Sequence, residues 1–482
     1  MAESLKKKTV KGTLWSVIER FSVQAIQFIV MIFMARILTP AEYGIVGMIT
    51  VFIAVSQALV DSGFSNALIR KQDRSQLDCS TAFYFNFVVG IILYFILFFC
   101  AHPIAKFYKE PLLVPVTHLV AISLPLNSLA VVQRALLTIK IDFKTQAKAS
   151  CTAAVVSGVV GLILAYSNYG VWAIVWFQLS STFTNVLLLW IFAKWVPSWC
   201  YSWKSFRQMF SFGSKLAATT VMNTVYLNGF QLIIGKIYSA AQLGFYTRAL
   251  QFSQLPSTNI SAILQRVTYP VLCSIQDEDQ RLHDAFLKFI NLTSFIVFPL
   301  MIGLSVLAKP IIISLIGEKW EFSAVLLSII SVSIMWVPIN AINLNILQVK
   351  GKSGLLFKLE LSIRLLGIAI LFITVPIGIV AMCLGSVVSN LSALIIYAYF
   401  SGKLLNIKVG NVLSVIYLPL IYSIIMGICV YLCTYFISIY FLKMIVGIVV
   451  GVISYIGFTY ITKYPALFEI KSFFNYKKLQ SR

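Results

Sequence analysis

Apolar stretches of about twenty residues recur along the whole chain, broken by short polar turns, and inside many of them polar residues return every three or four positions. That length suits helices crossing a hydrocarbon core, and the dyad alternation of a membrane β-barrel is absent. The pattern predicts fourteen helices, at 14–35, 42–61, 81–101, 114–137, 149–167, 171–192, 213–235, 243–270, 285–307, 323–348, 355–375, 378–400, 412–435 and 439–461. The expected fold class is an all-α polytopic membrane protein with 14 transmembrane helices.

One stretch is used twice. FSVQAIQFIVMIFMARILTPAEYG, from Phe21 to Gly44, has a degenerate copy in VMNTVYLNGFQLIIGKIYSAAQLG, from Val221 to Gly244. A shift of about 200 positions sets Ile37 over Ile237, Ala41 over Ala241 and Gly44 over Gly244. Both copies read as a polar-faced helix, a short turn and a glycine early in the next helix. Duplication of a helical bundle is the simplest account, with a site where the two lobes face each other. The expected organisation is an N-terminal lobe over 1–194, an interfacial linker over 195–212 and a C-terminal lobe over 213–403. The remainder, 404–482, adds two helices and a tail. In the linker, Trp195, Trp199, Trp203, Phe206 and Phe210 alternate with Lys204 and Arg207, which suits a helix lying in the membrane interface as anchor or hinge.

Composition agrees: 59% of the 482 residues are hydrophobic and 11% charged, where a soluble domain carries near a quarter charged. The net charge of +22 raises the question of nucleic acid, but the basic residues fall in alternate loops. With the N-terminus inside, about 27 of the Lys and Arg lie in cytoplasmic segments, about 7 in outer ones and about 4 within helices. This bias accounts for the basicity and needs no nucleic-acid partner. Both termini are expected in the cytoplasm, and only 102–113 and 308–322 make outer loops of any size. The first helix carries Glu19, Arg20, Gln24 and Gln27 without a small-residue cleavage site, so it reads as a retained helix rather than a signal peptide.

Little points to catalysis. The eight cysteines fall mostly in apolar helices, none at metal-ligand spacing from a histidine, and no cofactor or metal is expected. Asp277, Glu278 and Asp279 spell an acid-x-acid motif in a short loop with no nucleotide-binding domain around it. The sequons at Asn259, Asn291 and Asn390 lie inside membrane helices and are not glycan acceptors.

The polar stripes carry the candidate chemistry, because an ionisable group at membrane depth costs at least about 2.5 kcal/mol unless it meets water or a partner. In the first helix Thr13, Ser16, Arg20, Gln24 and Gln27 share one face, read either as a cavity wall or, for Arg20, as snorkelling to the interface. The second helix sets Thr50, Gln57 and Asp61 on one face, and the fourth Ser123, Asn127, Arg134 and Thr138. The seventh aligns Thr220, Thr224, Asn228 and Gln231, and the eighth Arg248, Gln251 and Thr258. The tenth aligns Ser333, Trp336, Asn340 and Asn343. Glu360 and Arg364 form an i,i+4 pair that reads as a structural salt bridge. Amides, hydroxyls and guanidinium forks suit sugar hydroxyls and phosphate oxygens.

LTPAEYGIVGM (38–48), DSGFSNALIRKQ (61–72), YTRALQFSQLPSTNISAILQRVTYPVLCSIQDE (246–278) and IGEKW (316–320) resemble polysaccharide-export flippases. The branch includes the colanic-acid and teichuronic-acid exporters of the multidrug/oligosaccharidyl-lipid/polysaccharide exporter superfamily. The resemblance implies two six-helix lobes in a V around a cationic cavity, plus two added helices. It implies movement of a polyprenyl-pyrophosphate-linked oligosaccharide across the bacterial inner membrane by alternating access, in contact with membrane lipids and polymerase machinery. Related flippases place essential arginines in helices 1 and 8, where Arg20 and Arg248 fall. An ion-coupled drug exporter of the same superfamily would want a buried carboxylate, for which Asp61 and Glu360 are the candidates. A membrane polymerase or ligase would want a large outer loop, and a scaffold would leave the polar stripes unexplained.

Overall fold

A computed structural model describes the backbone of residues 2–61 and 63–469, with side chains except those of 2–11, Thr13, Asp61 and Ile263. The side chains of Thr13 and Asp61, and the tail beyond 469, thus lie outside the described residues. Every regular element among the described residues is helical. In order these are α1 (Ala2–Ile37), α2 (Pro40–Asp61), α3 (Phe64–Arg70), α4 (Gln76–Tyr108), α5 (Leu113–Ala121), α6 (Ser123–Ser128), α7 (Val131–Ile139), α8 (Phe143–Tyr166), α9 (Val171–Ala193) and α10 (Trp203–Ile237). There follow α11 (Ala240–Ser274), α12 (Asp279–Val306), α13 (Ala308–Ile316), a 3-10 turn (Glu318–Trp320), α14 (Glu321–Ile334), α15 (Val337–Val349), α16 (Ser353–Thr374), α17 (Ile379–Leu405), α18 (Val409–Tyr435) and α19 (Tyr440–Ile461).

Eleven spans among the described residues are long and apolar enough to cross a membrane. Three stretches expected to cross, 213–235, 243–270 and 355–375, are helical as α10, α11 and α16 but are not among those eleven. Polar stripes set two of them apart, Thr220, Thr224, Asn228 and Gln231 on α10 and Arg248, Gln251, Gln254 and Thr258 on α11, whereas α16 is as apolar as α2 and differs by the charges of Lys358, Glu360 and Arg364. At 1.5 Å per residue, α10 with its 35 residues is about 50 Å long, well beyond a hydrocarbon core of about 30 Å.

Contacts divide the chain into two compact units, Met1–Thr247 and Arg248–Arg482, so that α11 begins in the first and continues in the second. In the first unit, the copied turn is built by matching caps. Thr39 donates its backbone N–H and hydroxyl to Glu42 (2.6 and 2.9 Å), with Pro40 at the first helical position. In the second copy, Gln242 N–H donates to the Ser239 hydroxyl at 3.2 Å. The two copies then meet reciprocally. A Cβ on Gly44 would lie 1.7 Å from the Ala240 carbonyl oxygen, and one on Gly244 would lie 1.9 Å from that of Pro40. Only glycine lets the backbones come that close. Lys236, at the end of α10, donates to the Phe107 carbonyl and sits 4.2 Å from that ring's centroid.

Two expected helices are broken by proline. Pro125 has no N–H to offer Ala121, and the stretch 114–137 becomes α5, α6 and α7. Side chains add donors to backbone oxygens near the break, Trp190 Nε1 to Leu129 O at 3.0 Å and the Ser128 hydroxyl to Pro125 O at 2.6 Å. In the second unit Pro338 lies just beyond the break between α14 and α15. The core there is an apolar cluster including Phe286, Phe298, Trp336, Ile346 and Leu394 from α12, the α14–α15 break, α15 and α17.

Two expectations change. The loops at 102–113 and 308–322 are mostly helix, because α4 runs to Tyr108 and ends on Lys109 in the left-handed conformation, and α13 with the 3-10 turn fills Ala308 to Trp320 except for Gly317. The linker is not an interfacial helix of its own: Lys194 to Ser202 are non-helical, and the helix beginning at Trp203 continues to Ile237. Hydrogen bonds pin the non-helical part to the start of α4. Trp195 Nε1 donates to Gln76 at 2.7 Å, Gln76 to Val196 O at 2.8 Å, and Ser202 N–H to Thr81 at 3.1 Å.

Candidate functional site

The first unit brings three of its candidate residues, Arg134, Gln57 and Asn127, into two polar clusters. Arg20 and Gln27 are exposed on α1, with Gln24 half-buried between them. Glu19, the residue before Arg20, accepts from the Ser150 hydroxyl of α8 at 2.8 Å. Asn185 of α9 donates its amide to that hydroxyl at 3.4 Å, and Arg134 of α7 donates to Asn185 Oδ1 at 3.5 Å. Glu19 and Arg134 are therefore linked through two uncharged side chains, which spread opposite charges across four helices. Next to it the Thr138 hydroxyl donates to Arg134 O and accepts from Gln146 (2.8 and 3.1 Å). The second cluster is the Asn127 amide donating to Gln57 Oε1 at 3.2 Å, which ties the broken helix to α2.

On α10 the stripe is partly satisfied within its own helix. Asn228 donates to Thr224 O and Thr224 to Thr220 O, both at 2.8 Å, leaving the Asn228 carbonyl oxygen and the half-buried Gln231 as the groups open to a ligand.

In the second unit Arg248 and Gln251 are half-buried on α11, and Gln251 Oε1 is buried with no donor among the described residues. The α15 residues pack into α17. Asn343 is fully buried, donates to Ile339 O at 3.0 Å and accepts from the Ser401 hydroxyl at 2.6 Å, so its polar atoms serve helix packing. Asn340 donates to Asn390 O at 3.4 Å, while its own Oδ1 and Trp336 Nε1 are buried with no partner among the described residues. Ser333 accepts from Ser386 and from Asn390, both at 2.9 Å. Arg364 Nη2 lies 3.4 Å from Glu360 Oε2, the i,i+4 pair read from spacing. Among the described residues no group of three or more His, Cys, Asp and Glu could hold a metal ion.

Two features escaped the sequence reading. Glu19 was read only beside Arg20, and nothing in its surroundings along the chain points to Ser150, 131 residues away. The second was legible: both proline breaks carry the order Pro-x-Asn, Pro125-Leu126-Asn127 and Pro338-Ile339-Asn340. Interrupted helices at corresponding positions of two halves are a recurrent sign of a transporter binding site.

The chain is 26% identical over 447 residues to an uncharacterized membrane protein in the cps region of Klebsiella pneumoniae, covering 90% of this chain and 91% of that protein. It is 26% identical over 378 residues to the teichuronic acid biosynthesis protein TuaB of Bacillus subtilis, covering 78% of each. In fold it is similar to the lipid II flippase MurJ in an inward closed conformation, with a TM-score of 0.77 and 15% identity over 94% of this chain and 100% of that one. The model of the polysaccharide biosynthesis protein family matches residues 33–325. That match spans more than half of the sequence, and the chain belongs to this family.

Proposed function

We propose that this protein is a flippase that moves a polyprenyl-pyrophosphate-linked oligosaccharide across the bacterial inner membrane by alternating access, delivering it to polymerase machinery outside. In this reading all fourteen expected helices cross the membrane, 1–194 and 213–403 are its two lobes, 404–482 is an addition, and both termini are cytoplasmic. One observation carries it. Two helices of membrane-spanning length, α10 and α11, carry rows of amide, hydroxyl and guanidinium groups along their apolar stretches, and such groups are those that bind sugars and phosphates.

The groups proposed to contact substrate are Arg20, Gln24 and Gln27 of α1, Gln57 with Asn127, Arg134, Asn228 and Gln231 of α10, Arg248 and Gln251 of α11, and Asn340. Asn343 and Arg364 support them from the packed side. Arg20 and Arg248 hold the pyrophosphate, each guanidinium contributing charge-assisted hydrogen bonds of about 1.5–3 kcal/mol. Amides and hydroxyls accept and donate to the glycan, which asks for little shape specificity and no catalyst. A second reading, an ion-coupled small-molecule exporter, is favoured by one feature, the Glu19 carboxylate with its hydroxyl donor.

Complementation of a flippase-null strain tests the first reading. Arg20→Ala and Arg248→Ala should insert at normal abundance yet sharply reduce or abolish glycan export, and the lysine variants should retain part of it. Full export by both alanine variants at wild-type abundance would return these arginines to interface anchoring. Drug efflux without glycan export by the wild-type protein would favour the second reading.

A further inference from the structure

At the start of α10 the first unit carries a basic groove that the transport reading leaves unused. It arises from how α10 starts. Phe206 packs against Phe64 of α3 and Phe85 of α4, with ring centroids 5.9 and 5.1 Å away, Met209 is buried, and Gly213 meets the backbone of Gly63. With that face fastened, Lys204, Arg207, Gln208 and Ser211, spaced three, one and three apart, form a stripe on the outward face.

Two depressions follow the stripe and share Gln208. One of about 600 Å³ is lined by Trp203, Lys204, Arg207, Gln208 and Ser211. The other, of about 420 Å³, lies between α10 and the end of α3, with Arg70, Lys71, Asp73 and Phe212 in its wall. Arg70 is held in place by the Phe212 ring, 4.9 Å from its centroid. Lys71 is committed to Asp78 at 2.8 Å. Among the described residues none of Arg70, Lys204 and Arg207 sits in an ion pair; of the three only Arg70 shares a wall with Asp73, and Asp78, which reaches Ser205, is offset by Lys71. The start of α10, capped by Ser202, adds the positive end of a helix dipole.

We propose that this groove binds the phosphate headgroup of an anionic glycerophospholipid. The cations supply the phosphate contacts, and the aromatic rim argues for a lipid over a free anion. Trp199 is 94% exposed and Trp203 66%, with Phe210 and Phe212 also exposed, a set of side chains that prefers the headgroup level of a bilayer to bulk water. The site does not rest on the transport reading, and its failure would leave that reading intact.

The test titrates detergent-purified full-length protein with phosphatidylglycerol or phosphatidylcholine of the same chain length and counts bound lipid by native mass spectrometry. Phosphatidylglycerol should be retained preferentially, and Lys204→Gln/Arg207→Gln should weaken it by about tenfold or more, since each cation near a membrane surface carries about one kcal/mol of such attraction. Lys403→Gln/Lys408→Gln, which removes two exposed cations from the second unit, should change nothing. Equal retention of the two lipids, or an unchanged Lys204→Gln/Arg207→Gln variant, overturns the proposal. Displacement of the lipid by inorganic pyrophosphate at equal concentration also overturns it, by making the groove a site for a free polyphosphate.

Discussion

Charged side chains within the spans show how far a single residue can be interpreted from spacing. Glu360 and Arg364 were legible because both partners lie on one helix, and the 3.4 Å separation with side chains 36% and 27% exposed matches the i,i+4 reading. The connection from Glu19 to Arg134 was not, because its partners come from four helices and are joined by the fold rather than by periodicity. The two cases predict different behaviour. For the local pair, losing one partner strands a charge at membrane depth, a cost of about 2.5–3.5 kcal/mol before snorkelling relieves it, whereas losing both removes charge and cost together. Folded yield of Glu360→Gln and of Arg364→Gln should each fall below that of the double variant. Additive losses would mean that the two residues act independently and would make Arg364 a substrate contact in its own right.

Among the elements, the copied turn is the part whose sequence logic and geometry agree most closely. The Thr39-x-x-Glu42 and Ser239-x-x-Gln242 orders start α2 and α11 with the same bond from the third residue's N–H to the cap hydroxyl, and the glycine four positions after Pro40 or Ala240 lets each helix accept the other's backbone. The repeat was visible as aligned letters, but the letters could not reveal that the copies touch one another. A methyl group at either glycine meets a carbonyl oxygen at under 2 Å, so the crossing must open by on the order of 1 Å. Gly44→Ala and Gly244→Ala should each leave the protein inserted but prevent this contact from closing. If alternation passes through the closed crossing, export falls sharply while abundance stays normal. A cysteine pair at Pro40 and Ala240 in a cysteine-free background reports closure directly: a thiol cross-linker of near-zero length should join it in otherwise wild-type protein and not in the alanine variants. Cross-linking undiminished by the alanines would mean that the helices pass without needing glycine.

For the whole molecule, the legible quantity was the alternation of charged and uncharged turns, and the illegible one was where each helix stops. The outer loop expected at 102–113 contracts to a short turn because α4 continues through His102 and Pro103 to Tyr108. The proline removes one helical hydrogen bond without ending the helix, and Lys109 terminates it by turning left-handed. The uneven distribution of Lys and Arg survives this change, since Lys106 and Lys109 stay at that end while Lys140, Lys144 and Lys148 stay at the other. In the proposed orientation the more basic ends are the cytoplasmic ones. Single cysteines replacing Lys109, which ends α4, and Lys319, in the turn before α14, should react with an impermeant maleimide in intact cells once the eight native thiols are removed. A cysteine replacing Lys144, in the first turn of α8, should react only after permeabilisation. The native cysteines have to go first because Cys200 and Cys433 are exposed and would report their own positions. Labelling at Lys144 in intact cells, with protection at Lys109 and Lys319, would turn the protein over in the membrane and place the start of α10 outside.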